Sequence, residues 1–131
     1  MRHFIAGVCL LFASAALAQD TPDITAAADW LDLVDKGEYA ASWEQAAPLF
    51  QSKIKNKDWQ ESLNETRAPL GAALSRQIIQ AEERKRLPGF PRGKYKIFIV
   101  ETNFSGKTGA IESVTVKNDD DVWRVVGYFI R

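Results

Sequence analysis

The stretch that decides the fold is KYKIFIVETNF (residues 94–104), SGKTG (105–109), AIESVTVK (110–117), NDDD (118–121) and VWRVVGYFI (122–130). Its three longer runs are rich in Tyr, Ile, Phe, Val and Thr, which suit a pleated, half-buried surface. The short pieces between them hold Gly, Ser, Asn and Asp, the residues of tight turns. Strands joined by turns this short pair antiparallel, since a parallel crossover needs a much longer connection. Asn118–Asp121 resembles a calcium loop only superficially. Its acids are consecutive rather than alternate and a strand follows at once, so it reads as a solvated hairpin turn.

Upstream, Pro88-Gly89-Phe90-Pro91-Arg92-Gly93 is a loop. Ser75–Leu87 is rich in Gln, Glu, Arg and Lys and favours helix by propensity. Earlier still the apolar spacing turns helical. Thr21 suits a cap and Pro22 a first helical position, and Ile24, Ala27, Ala28, Leu31 and Val34 fall on one stripe before Lys36-Gly37. A second helix starts near Glu38, with Tyr39, Trp43, Ala46 and Ala47 on one side and Pro48 breaking or restarting it. A third, capped by Asn56 and carrying Trp59 and Leu63, ends before Pro69. Helices first and antiparallel strands after give an α+β fold, with three N-terminal helices packed on a curved antiparallel sheet of about four strands.

At the other end, a basic head (Met1-Arg2-His3), an apolar run from Phe4 to Ala15 and Ala16-Leu17-Ala18 are ordered as a secretory signal peptide cut after Ala18. The apolar run is shorter than the ~20 residues that span a bilayer. The expectation is a signal peptide over 1–18, a single α+β domain over 19–131, periplasmic or secreted placement, and no stable membrane anchor after cleavage. The chain's one His (His3), one Cys (Cys9) and one Met (Met1) all lie in that segment. A mature chain without them has no Ser-His-Asp triad, thiol chemistry, zinc–thiolate site or haem ligand. No cofactor and no metal site is therefore expected.

Charge is balanced overall but not along the chain. Residues 19–50 carry seven acids and one base, and residues 51–96 carry eleven bases and five acids. The near-zero total gives no argument for nucleic acid.

Trp30, Leu33, Asp35, Gly37, Tyr39, Ser42 and Trp43 resemble the opening motif of the bacterial secreted proteins catalogued as domain of unknown function 4019. So do Trp59, Arg67-Ala68-Pro69-Leu70-Gly71, Ser75-Arg76, Leu87-Pro88-Gly89, Gly93, Tyr95, Phe104, Glu112-Ser113-Val114-Thr115 and Trp123–Ile130. The resemblance covers nearly the whole of residues 19–131. It implies a bacterial envelope protein and no particular activity. It also implies that Ser75–Arg84 is a strand, against its helical propensity, so strand and helix both stay open for 75–87. The order of elements looks like the cone of nuclear transport factor 2 and its ketosteroid isomerase relatives, or a cystatin-like one.

Carboxylate chemistry survives the loss of His and Cys. Glu112 and Glu101 lie within strands, and a desolvated Glu facing a helix–sheet cavity is a candidate base. The competing reading is a strand carboxylate that faces water or pairs with an Arg, such as Glu112 with Arg124. Arg67, Arg76 and Arg124 are candidates for a ligand anion, and Tyr39 and Tyr128 for a pocket wall. The Trp side chains suit core packing, with Trp123 the most exposed of them. Arg84, Lys85, Arg86, Arg92 and Lys94 form a basic stretch near Phe90 and Tyr95, suited to an anionic envelope partner. The expected function is a non-catalytic binding or protein-interaction module whose partner is a small molecule or an envelope protein. The alternative is a carboxylate-based isomerase or hydrolase acting on a small apolar substrate.

Overall fold

A computed structural model describes residues 21–131; the expected signal segment and its cut after Ala18 lie outside the described residues. Helix α1 (Pro22–Asp35) opens on the fixed φ of Pro22. Thr21 stands at its cap in an extended conformation, yet its hydroxyl donates to the Asp23 carboxylate rather than to the helix backbone. Gly37, at φ +77°, ends the segment in a left-handed turn that other residues rarely adopt.

The expected second helix is two: α2 (Tyr39–Gln45) and α3 (Pro48–Lys53). Pro48 disfavours the helical region for Ala47, which sits at ψ 151°, and the chain restarts after it. Helix α4 (Asn56–Thr66) follows, with Lys55 rather than Asn56 at the cap. Among the described residues there are thus four helices where three were expected, then a 3₁₀ turn over Ala68–Leu70.

The strands are β1 (Ala73–Arg84), β2 (Lys94–Phe104), β3 (Lys107–Asp119) and β4 (Val122–Ile130). They form one antiparallel sheet in the order β1-β2-β3-β4. Residues 73–84 are therefore strand despite their helical propensity, because pairing along β2 outweighs a per-residue preference of under ~1 kcal/mol.

Alternation along β2 and β3 is regular. Phe98, Val100, Thr102 and Phe104 are buried, as are Ala110, Glu112, Val114 and Val116, and these even-numbered side chains face the helices. Burying each large apolar side chain contributes roughly 1.5–3 kcal/mol. Trp30, Phe50, Trp59 and Tyr128 make the aromatic centre of this core, with the Trp30 and Tyr128 rings 5.3 Å apart. Ser42, fully buried, ties three helices together. The Trp59 indole donates to its Oγ at 2.9 Å, the Trp30 indole to its carbonyl at 2.8 Å, and its hydroxyl donates to the Tyr39 carbonyl at 2.6 Å.

β4 breaks the alternation. Thr115 pairs with Gly127 and Val116 with Val125, so Val126 is an extra residue in a bulge. Val125 and Tyr128 both enter the main core, while Val126 joins Ala47 and Tyr95 in a second, smaller cluster. The Ala47 amide donates to the Val125 carbonyl at 2.8 Å, which fastens the α2–α3 break to this bulge.

The helices do not cover the sheet evenly. Helix α1 packs chiefly on β4 and β3, and α3 on β4. No residue of β1 is fully buried. This uneven cover opens a groove beside α1. Among the described residues no helix is long and apolar enough to cross a membrane.

Candidate functional site

Four polar side chains stand on the helix-facing side of the sheet, one from each strand: Arg76, Thr102, Glu112 and Tyr128. Two more close on them from outside the sheet, Asp35 in the last turn of α1 and Arg67 just after α4. Glu112 is the centre, with 0% of its surface exposed. Its Oε1 accepts from Thr102 Oγ1 at 2.6 Å and Arg76 Nε at 2.8 Å. Its Oε2 accepts from Arg76 Nη2 at 3.3 Å and from the Tyr128 hydroxyl. A carboxylate has about four lone-pair sites, and all are engaged.

Arg76 continues the chain of charges. Its Nη1 and Nη2 grip both oxygens of Asp35 at 2.5 and 2.8 Å in a two-pronged contact. Arg67 Nη2 reaches the same Asp35 at 3.0 Å, while Nη1 donates to the Gly71 carbonyl at 2.7 Å. The Arg67 guanidinium lies over the Phe104 ring at 4.3 Å, and its buried Nε has no hydrogen-bond partner. The order Arg67–Asp35–Arg76–Glu112 alternates in sign and sums to zero charge. Burial opposes ionisation of Asp35, but hydrogen bonds from Arg76 and Arg67 outweigh it and hold the carboxyl below its ordinary range. Burial likewise opposes the charge on Arg76, and its bonds to Asp35 and Glu112 reverse that and raise its pKa. Burial, followed by the negative charge of Glu112, pushes the Tyr128 hydroxyl well above the usual tyrosine range.

The structure brings together Arg67, Arg76, Tyr128 and Glu112 of the sequence candidates. The Arg124–Glu112 pair does not form. Arg124 stands opposite Lys117, in the part of the hairpin nearest its turn, whereas Glu112 stands opposite Ile130. The arginine that reaches Glu112 comes from β1, two strands away. Arg124 lines a separate cleft of about 510 Å³ with Trp123, Asp29 and Gln45. Tyr39 packs, half-buried, against the main core. Glu101 is exposed, on the face away from the helices.

Arg84, Lys85, Arg86, Arg92 and Lys94 are all exposed. Arg84 is tied to Glu82 at 2.6 Å. The loop beside them is pinned by the Tyr95 hydroxyl on the Pro91 carbonyl at 2.5 Å and Lys53 Nζ on the Gly89 carbonyl at 3.0 Å.

Asp35 and Thr102 were not among the site candidates. Asp35 had a legible signal: an acid in the last turn of a helix opposes the helix dipole and implies cations from elsewhere. Thr102 had one too, as the one polar side chain in the inward series Phe98, Val100, Thr102, Phe104.

Beside this network runs the groove between α1 and the β1–β2 edge. It encloses about 650 Å³ and is lined by Ile24, Ala27, Ala28, Leu31, Ile78, Phe98 and Val100, with Arg76 and Gln77 at one end. Near the start of α1, Lys96 bridges Asp23 at 3.4 Å and Glu83 at 3.9 Å. The middle of the groove is apolar, and Ile78 on its rim is 43% exposed. That volume falls within the range of small-molecule sites, which are mostly apolar with a few fixed polar groups.

A family model described as "Protein of unknown function (DUF4019)" matches residues 26–128. The match contains Asp35, Arg67, Arg76, Thr102, Glu112 and Tyr128. No curated protein and no solved structure matches the chain.

Proposed function

The chain belongs to the DUF4019 family of proteins of unknown function, and from that premise we propose that it is a non-catalytic binding module of the cell envelope that holds an apolar ligand between α1 and β1–β2. The carrying observation is the groove itself: about 650 Å³ lined by Ile24, Leu31, Ile78, Phe98 and Val100. Arg76 is the one ionisable side chain on its lining, and it is neutralised by Asp35 and Glu112. An anionic head group gains little there. An acyl chain, a hydrophobic ring system or the apolar side chains of an envelope protein suits the surface better.

The saturation of Glu112 favours this reading over the carboxylate-base alternative. A general base must present a free acceptor to the proton it takes. Both Glu112 oxygens already accept two donors each, and Glu101 lies on the far face in solvent. Periplasmic or secreted placement is part of the proposal, supported by the order of residues 1–18.

The test is displacement of the fluorescent probe N-phenyl-1-naphthylamine, with dodecanoate and dodecanol as competitors. The expected outcome is probe binding displaced at least as well by the alcohol as by the carboxylate. Ala28→Trp, which fills the groove from the exposed side of α1, should abolish binding without lowering thermal stability. Probe binding unchanged in Ala28→Trp would exclude the groove. Purification of the mature chain from periplasmic extract, beginning at Gln19, would establish export.

A further inference from the structure

Beyond the cluster of Ala47, Leu49, Tyr95 and Val126, no helix of the described residues is seen to cover the outward side of the sheet, and this side carries their most exposed large apolar side chain. Phe129 is 77% exposed. In the cross-strand register, Phe129 stands opposite Ser113, and Ser113 opposite Ile99. The next row runs Arg131, Ile111, Glu101: Ile111 and Arg131 exchange backbone hydrogen bonds at 2.8 and 2.9 Å, and Ile111 pairs with Glu101. Ile99, Ile111, Ser113 and Phe129 border a hollow of about 410 Å³. A projecting aromatic ring and a hollow floored by a small side chain thus lie side by side on one surface.

We propose that this face is a homodimer interface, with a second copy of the chain as its occupant and the two-fold axis running along β3. An isologous contact requires one patch to complement itself, so that a residue touching a partner position is touched by that position in return. An axis along β3 exchanges β2 and β4. It places Phe129 against Ile99 of the partner subunit and leaves Ser113 near the axis, where its small side chain gives the ring room. The same operation sets Arg131 over Glu101 of the partner subunit. The apolar row and the charged row are therefore satisfied by one rotation. Two sheets stacked this way pack ~10 Å apart with strands within ~30° of each other. The second cluster, of Tyr95, Val126, Leu87 and Phe90, involves this face nearer the β3–β4 turn and limits the contact to the part bearing Phe129. An interface of this extent falls towards the small end of specific dimers, so association in the micromolar range is expected.

Sedimentation velocity of the purified protein, from low micromolar to about 1 mM, tests this. The expected result is a monomer–dimer equilibrium that Phe129→Glu weakens at least about tenfold with the circular dichroism spectrum unchanged, since Phe129 is exposed. Phe129→Ser serves as a second, uncharged variant and should act in the same direction. Glu101→Arg and Arg131→Glu should each weaken the dimer about three- to tenfold, and together restore it, because the swap returns opposite charges to each other. A monomer throughout the range overturns the proposal, as does a dimer indifferent to Phe129→Glu, or a charge swap that fails to recover. A monomer that co-sediments with anionic phospholipid vesicles through Phe129 overturns it in favour of a lipid surface.

Discussion

Arg76 Nε stands 2.8 Å from Glu112 Oε1, although their strands, β1 and β3, are separated by β2. The contact is possible because Thr102 on the intervening strand is short and donates to the same oxygen from below. Glu112 has no exposed surface, and Arg76 is the cation that reaches it. Arg76→Ala leaves Glu112 and Asp35 without their shared cation and should cost about 3–5 kcal/mol, the usual penalty for breaking a buried pair from one side. Urea unfolding would measure it. A loss under about 1 kcal/mol would mean that water replaces the guanidinium.

Acid should weaken the fold through Asp35. Its folded pKa is held below the unfolded value, so its contribution is fully present above the unfolded pKa of about 3.9. That contribution is lost as pH falls through the folded value, because the unfolded chain then binds the extra proton. Asp23 is lowered too, since its bonds to Thr21, the Ile24 amide and Lys96 outweigh its burial. Asp35→Asn should therefore flatten, without abolishing, the fall in stability below about pH 4. Denaturant midpoints collected between neutral and acid pH would show it. An unchanged acid slope would remove Asp35 from the account.

The alkaline side should be governed by tyrosine. Burial and the charge of Glu112 raise Tyr128, and burial raises Tyr95. A raised folded pKa gives stability that is present below the unfolded value of about 10 and lost as pH rises through the folded one. Ultraviolet titration of the folded protein should show tyrosine ionisation delayed beyond that of the urea-unfolded chain. Tyr128→Phe should remove part of the delayed phase and cost about 1–3 kcal/mol at neutral pH, since Glu112 Oε2 is left with one long bond from Arg76.

Three of the four strands and the α+β order were legible because their signals are local: β-branched and aromatic runs, and turns of Gly, Asn and Asp. The split of α2 from α3 was half-legible in Pro48. Strand β1 was legible only through the family resemblance, since Gln, Glu and Arg at its exposed positions carry helical propensity and its strand state comes from pairing with β2. The Arg124–Glu112 expectation failed because the two-residue turn sets Arg124 opposite Lys117, at the turn end of the hairpin, whereas Glu112 stands near its open end, opposite Ile130. The inward place of Tyr128 was illegible for a different reason. Uninterrupted alternation along β4 would send Tyr128 to the face opposite Val125. The bulge at Val126 shifts the register by one residue and brings both inward. Nothing in VWRVVGYFI announces that extra residue, because Val125 and Val126 are identical and each finds its own apolar cluster.

The turn that feeds this register offers a stabilising change. Asp120 and Asp121 sit at φ 53° and 66°, the left-handed pair required by a two-residue hairpin loop. Aspartate tolerates that region but still strains there, and Asn-Gly is the pair that fits it with least strain. Asp120→Asn with Asp121→Gly should raise stability by about 0.5–1 kcal/mol, the relieved strain exceeding the extra freedom that Gly adds to the unfolded chain. Asn118 Oδ1 accepts the residue-121 amide at 3.0 Å, a contact the change retains. Because Asp119 still pairs with Val122, the register through the Val126 bulge is unchanged and Tyr128 must still meet Glu112. The double variant should therefore unfold at higher temperature with the same delayed tyrosine ionisation. A higher melting temperature with ordinary tyrosine titration would mean that the new turn had slipped the hairpin by one residue and carried Tyr128 to the outer face.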